Sequence, residues 1–180
     1  MKIFLVILLS ISLYANTKED ILQLYKDKKY ENACNLGFNN FENYRRDEEF
    51  VSIYAFSCLA SDHINRLAQP ITVLKYSPET RANSAYFSII LMQKRLLYHA
   101  LLDRYDLSSL NLPTTDYILS TVFDLYVQYD SNNKKDVYIY TDKDDNMISY
   151  KLYLEKNNKL DKIIIEKYYN TKLIKQHIYW

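Results

Sequence analysis

The chain has 180 residues, with 23 Lys and Arg against 22 Asp and Glu, and this near-balance lacks the clustered positive field that a nucleic-acid partner requires. It contains one glycine, two cysteines, three histidines and nineteen tyrosines. Phosphate-cradling loops need glycines for close backbone approach, so the single Gly37 excludes Walker and dinucleotide fingerprints by count.

The first fifteen residues place one cation, Lys2, before the apolar run Ile3 to Leu9, which continues through Ile11 and Leu13 to the small Ala15. That order of basic, apolar and small is read by bacterial secretion machinery as a cleavable signal peptide. The stretch is about half the roughly twenty residues that a spanning helix needs. Asn16, not a cysteine, follows the expected cleavage point, so a lipid anchor is not expected. No later charge-free apolar stretch reaches membrane length: Ala85 to Leu97 is broken by Ser88, Gln93, Lys94 and Arg95. The expected product begins near Asn16, is periplasmic and water-soluble, and has no integral membrane span.

Residues 16–130 read as helices. Thr17 is an expected N-cap for a helix carrying Ile21, Leu22, Leu24 and Tyr25, which ends at the basic turn of Lys28 and Lys29. A second helix runs from Tyr30 to Tyr44, with Tyr30, Cys34, Phe38 and Phe41 at helical spacing beside Ala33 and Gly37. Asp47 caps a third, whose inner stripe is Val51, Tyr54, Ala55 and Cys58, with Glu48 and Glu49 placed well against the helix dipole. A fourth, over His63 to Lys75, should be kinked or shortened by Pro70. Ser77 and Pro78 open a long helix that is apolar on most sides between Ala85 and Leu101, as a central buried helix would be. A last helix is expected over Thr115 to Gln128, with Leu119, Val122, Phe123 and Tyr126 inward.

Around Asp130 to Lys135 the composition turns polar and the apolar period changes from helical to alternating. Four strands are expected, over 136–141, 147–155, 161–169 and 172–180, with turn residues between them. The domain boundaries so read are 1–15 signal peptide, 16–130 helical and 131–180 an antiparallel meander packed on the helices. The fold class is α+β.

The helix, basic turn and Tyr-Glu-x-Ala pattern over Leu24 to Ala33 resembles the inter-helix turn of tetratricopeptide and Sel1-type repeats, within residues 21–76. Lys28 stands where those repeats usually carry glycine, and the alanine position thirty-four residues on is Leu67, with Ala68 one step away. The resemblance implies a helical-hairpin scaffold of the kind that binds other proteins.

Cys34 and Cys58 each lie twelve residues from Arg46, so in an antiparallel hairpin turning there they stand at the same height on facing apolar stripes. Small neighbours, Ala33, Gly37 and Ser57, permit the close approach a disulfide needs, and an oxidising compartment favours the bridge. His63, His99 and His177 share no ligand spacing with one another or with a cysteine, so no metal or other cofactor is expected. Asp142, Asp144 and Asn146 match the start of a calcium loop, but Met147 and Tyr153 replace its glycine and bidentate glutamate, leaving a polar hairpin turn. Tyr138, Tyr140, Tyr168, Tyr179 and Trp180 crowd the sheet, either as cross-strand packing or as an exposed interaction surface.

The function that these features imply is non-catalytic: a periplasmic protein-interaction or assembly module of the bacterial envelope with a protein or peptide partner. Two alternatives stay open. An envelope hydrolase acting on cell-wall material would show paired carboxylates in a cleft, and a small-ligand binder, for apolar or aromatic ligands, would show a sizeable enclosed pocket between helices and sheet.

Overall fold

The computed structural model describes residues 17–131, 133 and 135–180. The expected signal peptide lies outside these residues. The described residues form two compact units, one up to Ala85 and the other from Tyr86 onward. This division falls inside the long helix, whereas the sequence boundary at 130/131 follows the change of apolar period.

In the first unit, residues 17–26 are helical (α1) and Thr17 already belongs to the helix instead of flanking it. Helices α2 (Tyr30–Tyr44) and α3 (Glu48–Ala60) follow at the expected places. The Asp47 carboxylate accepts the Phe50 N–H at 3.1 Å, which satisfies one of the orphan donors of the first turn of α3. Helices α1 and α3 end in the same turn. Lys28 and Asp62 take φ of 59° and 65°, a left-handed conformation normally left to glycine. After α1, the Lys28 N–H bonds the Tyr25 carbonyl and the Lys29 N–H bonds that of Leu24. After α3, the Asp62 N–H bonds Leu59 and the His63 N–H bonds Cys58. The two left-handed residues are 34 positions apart.

The expected fourth helix is instead a 3-10 turn (Ile64–Leu67) followed by a short α4 (Ala68–Val73). Pro70 has no N–H to give the Arg66 carbonyl, so one continuous α-helix from His63 is interrupted, and Pro70 falls in the first turn of α4, where no intrahelical donor is required of it. The Arg66 carbonyl takes the Tyr54 hydroxyl instead, at 3.4 Å. Helix α5 (Pro78–Asp103) starts as expected, with the Ser77 hydroxyl accepting the Thr80 N–H at 3.0 Å. The loop before it is fastened by Glu48. Its carboxylate accepts the N–H groups of Lys75 and Tyr76 at 2.8 Å each and the Thr80 hydroxyl at 2.9 Å.

Helices α2 and α3 are held by the Cys34–Cys58 disulfide, with Cα atoms 4.7 Å apart. Such proximity needs small residues where the helices meet. A Cβ built on Gly37 would lie 2.5–2.6 Å from the Cβ, Cγ and Cδ2 atoms of Tyr54. Tyr54 is itself fully buried, and burial pushes its phenol up to about 12. Outside the bridge, the Arg66 guanidinium donates to Asn35 Oδ1 at 2.7 Å and lies over the Phe38 ring.

The second unit comprises the rest of α5, helix α6 (Ile118–Tyr129) and four strands: β1 (Val137–Thr141), β2 (Ile148–Glu155), β3 (Lys162–Tyr169) and β4 (Lys172–Tyr179). The strands form an antiparallel meander in the order β1-β2-β3-β4, as the alternating pattern predicts. Asn170 makes the β3–β4 turn with φ 53°. The β3–β4 register shifts between Lys167 and Tyr168, leaving Ile174 of β4 without a partner in the ladder.

The expectation of an α5 buried on most sides does not hold. Phe87, Ile90, Gln93, Lys94, Leu97 and Ala100 are buried, while Met92 and Leu102 are exposed, so the helix buries one stripe. The Gln93 amide donates to the Pro113 carbonyl at 3.1 Å, and the Lys94 ammonium donates to the Trp180 carbonyl. The inner stripe predicted for α6, Leu119, Val122, Phe123 and Tyr126, is buried.

Candidate functional site

The inner face of the sheet is closed against α6. Tyr126 meets Tyr138 edge-on with ring centroids 5.2 Å apart, and the Tyr117 and Tyr179 hydroxyls are 3.2 Å apart. Tyr138, Tyr140 and Tyr179 are buried, Tyr168 is half-buried and Trp180 is exposed. These five therefore do not form one exposed aromatic row. The alternation of β1 turns Tyr138 and Tyr140 inward, while Val137 and Ile139 face solvent.

A polar group sits where α6 meets β1. Asp130, which follows α6, is buried and receives the Lys135 ammonium at 2.6 Å. The Tyr138 hydroxyl donates to the Asn133 carbonyl at 3.3 Å and accepts the Lys135 N–H at 3.2 Å. The Tyr140 hydroxyl is buried and no hydrogen bond of good geometry reaches it among the described residues. Burial first, and then the Asp130 charge, raise its phenol far above the usual range. Nothing in a single sequence marks Asp130 and Tyr140 as buried neighbours, because their meeting depends on how α6 docks on β1.

Two hollows flank Lys135. One, of about 1050 Å³, is lined by Arg104, Asp106, Asp136, Lys156 and Asp161 together with Tyr126 and Tyr138. The other is a groove of about 430 Å³ along β1, lined by Leu125, Tyr129, Asp130, Ile139, Tyr140 and Thr141. On the outer face of the sheet, the buried Glu166 carboxylate accepts the Tyr153 hydroxyl at 3.0 Å, that of Tyr168 at 2.7 Å and the Gln176 amide at 3.0 Å. Burial acts to raise its pKa, and these donors outweigh it, so the carboxyl stays below the usual range. The Lys151 ammonium stands 3.4 Å from its Oε2 as well, so the carboxylate spends its acceptor sites on locking neighbouring strands together.

The histidines are separate. His63 Nε2 lies 2.9 Å from Glu31, which this contact holds below its ordinary pKa. His99 stacks on Tyr105, and His177 is buried on the inner sheet face beside Tyr179. Among the described residues no group of three His, Cys, Asp or Glu could hold a metal ion. Asp142 spends its oxygens on the hairpin, accepting the Asp144 N–H at 3.0 Å and the Tyr150 hydroxyl at 2.5 Å, which is the polar turn expected from Met147 and Tyr153. Among the described residues no helix is long and apolar enough to cross a membrane. The chain matches no protein family, no curated protein and no solved structure.

Proposed function

We propose that the chain is an exported, non-catalytic interaction or assembly module of the bacterial envelope, released near Ala15 and working in the periplasm on a protein or peptide partner. The observation that carries this reading is the pair of helix ends closed by one turn 34 residues apart, at Lys28 and Asp62, with the intervening helices stapled by Cys34–Cys58. A recurrence at that interval is the geometry of helical-hairpin repeats, whose stacked helices serve as binding scaffolds. The staple fits an oxidising compartment. Crosslinking in the native envelope followed by mass spectrometry tests the reading. It expects a chain starting near Asn16, bridged at 34–58, with one reproducible partner. Intact Met1 on cytosolic protein with two free thiols would overturn it.

A second reading, a binder of small polar ligands, is favoured by the 1050 Å³ hollow and its mixture of Arg104, Lys156, Asp106 and Asp161. A thermal-shift screen of small zwitterions and sugars separates the two. Saturable stabilisation that is lost on Arg104→Ala supports the second reading, and no shift across the screen counts against it.

A further inference from the structure

The geometry points to β1 as the docking edge for an extended partner segment that carries basic residues at both ends of a short apolar strand. The inference rests on the interaction reading above and names its site.

The hydrogen-bond alternation of the sheet decides which backbone groups are free. The Asp142 N–H bonds the Ile148 carbonyl at 2.9 Å, and the register pairs Tyr140 with Tyr150 and Tyr138 with Leu152. In an antiparallel ladder every second residue exchanges its bonds with the neighbouring strand. Val137, Ile139 and Thr141 therefore aim their N–H and C=O groups away from β2, and β1 is the end strand of the sheet. Among the described residues none of these three has another backbone partner. Ile139 is 73 % exposed.

The two edges differ. Strand β4 carries Lys172 and Lys175 and an extra residue, Ile174, where its register with β3 shifts, and these are the usual defences of an edge. Strand β1 reads Val-Tyr-Ile-Tyr-Thr, with no charge, proline or bulge. Beside it runs the 430 Å³ groove, which Ile139, Tyr140 and Thr141 line together with Leu125 and Tyr129. An added strand would place alternate side chains in that groove, next to Tyr129 and Leu125, and the others on the outer face beside Ile139. Main-chain bonds to an edge with alternate side chains read by a groove is a general mode of peptide capture.

Charge selects the occupant. Asp136 precedes β1, and Asp142, Asp144 and Asp145 follow it. A second copy pairing antiparallel about Ile139 would set Asp136 opposite its partner's Asp142 and Lys135 opposite Lys143, like charges at both ends. A segment with cations opposite Asp136 and Asp142 instead meets opposite charge at each end.

The test is an NMR titration and hydrogen-exchange measurement on the full chain with a capped Lys-Val-Thr-Val-Thr-Val-Lys peptide, and with the same peptide flanked by Glu. Saturable shifts and exchange protection at the Val137, Ile139 and Thr141 amides are expected, with the Glu peptide at least about five-fold weaker. Ile139→Pro removes the central free N–H, which the sheet does not use, and should abolish binding while far-ultraviolet circular dichroism stays unchanged. If that variant does not fold, Ile139→Lys serves in its place. Equal affinity for the two peptides, or no saturable change at these amides, would overturn the proposal. So would protection without peptide that follows a monomer–dimer equilibrium, because a second copy would then hold the edge. Envelope crosslinking that persists in Ile139→Pro, alongside a failed titration, would leave the interaction reading standing and remove β1 as its site.

Discussion

Gly37→Ala isolates what holds α2 and α3 together. The added methyl would sit 2.5–2.6 Å from three Tyr54 side-chain atoms, about 1 Å inside ordinary contact. One of them is the Tyr54 Cβ, which no rotamer change can move, so the two helix backbones have to part. Overpacking costs about 1–3 kcal/mol, and a clash on an atom that cannot swing away falls in the upper part of that range, about 2–3 kcal/mol. Replacing glycine by alanine inside a helix returns about 1 kcal/mol. The expected net loss is about 1–2 kcal/mol, or roughly 4–15 °C in the melting of a unit this size. The bridge need not break, since disulfides tolerate Cα separations up to roughly 7 Å and the present one is 4.7 Å. Urea and thermal unfolding, with hydrogen exchange resolving residues 17–85, would measure the loss. In a Tyr54→Ala background the penalty should persist in part, because Cβ remains. A Gly37→Ala chain as stable as the parent would refute the claim that this contact sets the helix spacing.

Cys34→Ala with Cys58→Ala should destabilise the first unit by about 3.5 kcal/mol, from the loop entropy of a bridge closing a sequence separation of 24, as read by denaturant unfolding. Lys28→Gly should stabilise by about 0.5–1 kcal/mol, because the turn demands φ 59°; a loss would show that the lysine side chain contributes there. Stability should rise gently as pH climbs from 8 to 10, because burial, helped by Arg95, holds Lys94 down at about 8 and the cost of its buried charge is relieved above that value. It should then collapse. Tyr54 is pushed up to about 12, and Tyr86, Tyr126, Tyr140 and Tyr150 are raised further, so their stabilisation is intact below the unfolded value and is lost as pH rises through the folded ones. Each such phenol removes about 1.4 kcal/mol per pH unit. Tyrosinate absorbance and circular dichroism would follow the transition, and Lys94→Met should flatten the rise between pH 8 and 10. On the acid side Glu31, Asp47, Asp142 and Glu166 lie below their usual values, so their contribution is present above the unfolded carboxylate range and lost as pH falls through it.

Local chemistry was legible wherever one residue's own constraints decide the outcome. Asp47 and Ser77 cap their helices because a short oxygen-bearing side chain before a helical run has few other uses, and the strand period placed all four strands within a residue or two. The disulfide could be foreseen because hairpin geometry converts equal distance from Arg46 into equal height. Pro70 was visible as a break, but not that the freed Arg66 carbonyl would take the Tyr54 hydroxyl. In the sequence Glu48 has the helix dipole as its one evident role, yet its carboxylate ties down the loop before α5 and the first turn of α5 itself, at residues 27 to 32 positions away.

Periodicity, capping residues and cysteine spacing therefore determined by themselves the α+β order of elements, the stapled helix pair and the meander. Each follows from interactions within a few turns of chain or from a simple hairpin. Only the tertiary structure decided that Tyr138, Tyr140 and Tyr179 face inward, that the Glu166 carboxylate is locked by two phenols and an amide, and that the β1 backbone groups β2 does not use are those of Val137, Ile139 and Thr141, the last two lining a groove. Apolar period gives two faces to a strand without saying which one a helix will cover. That choice is made by docking, where the burial of residues far apart in sequence is gained together or not at all.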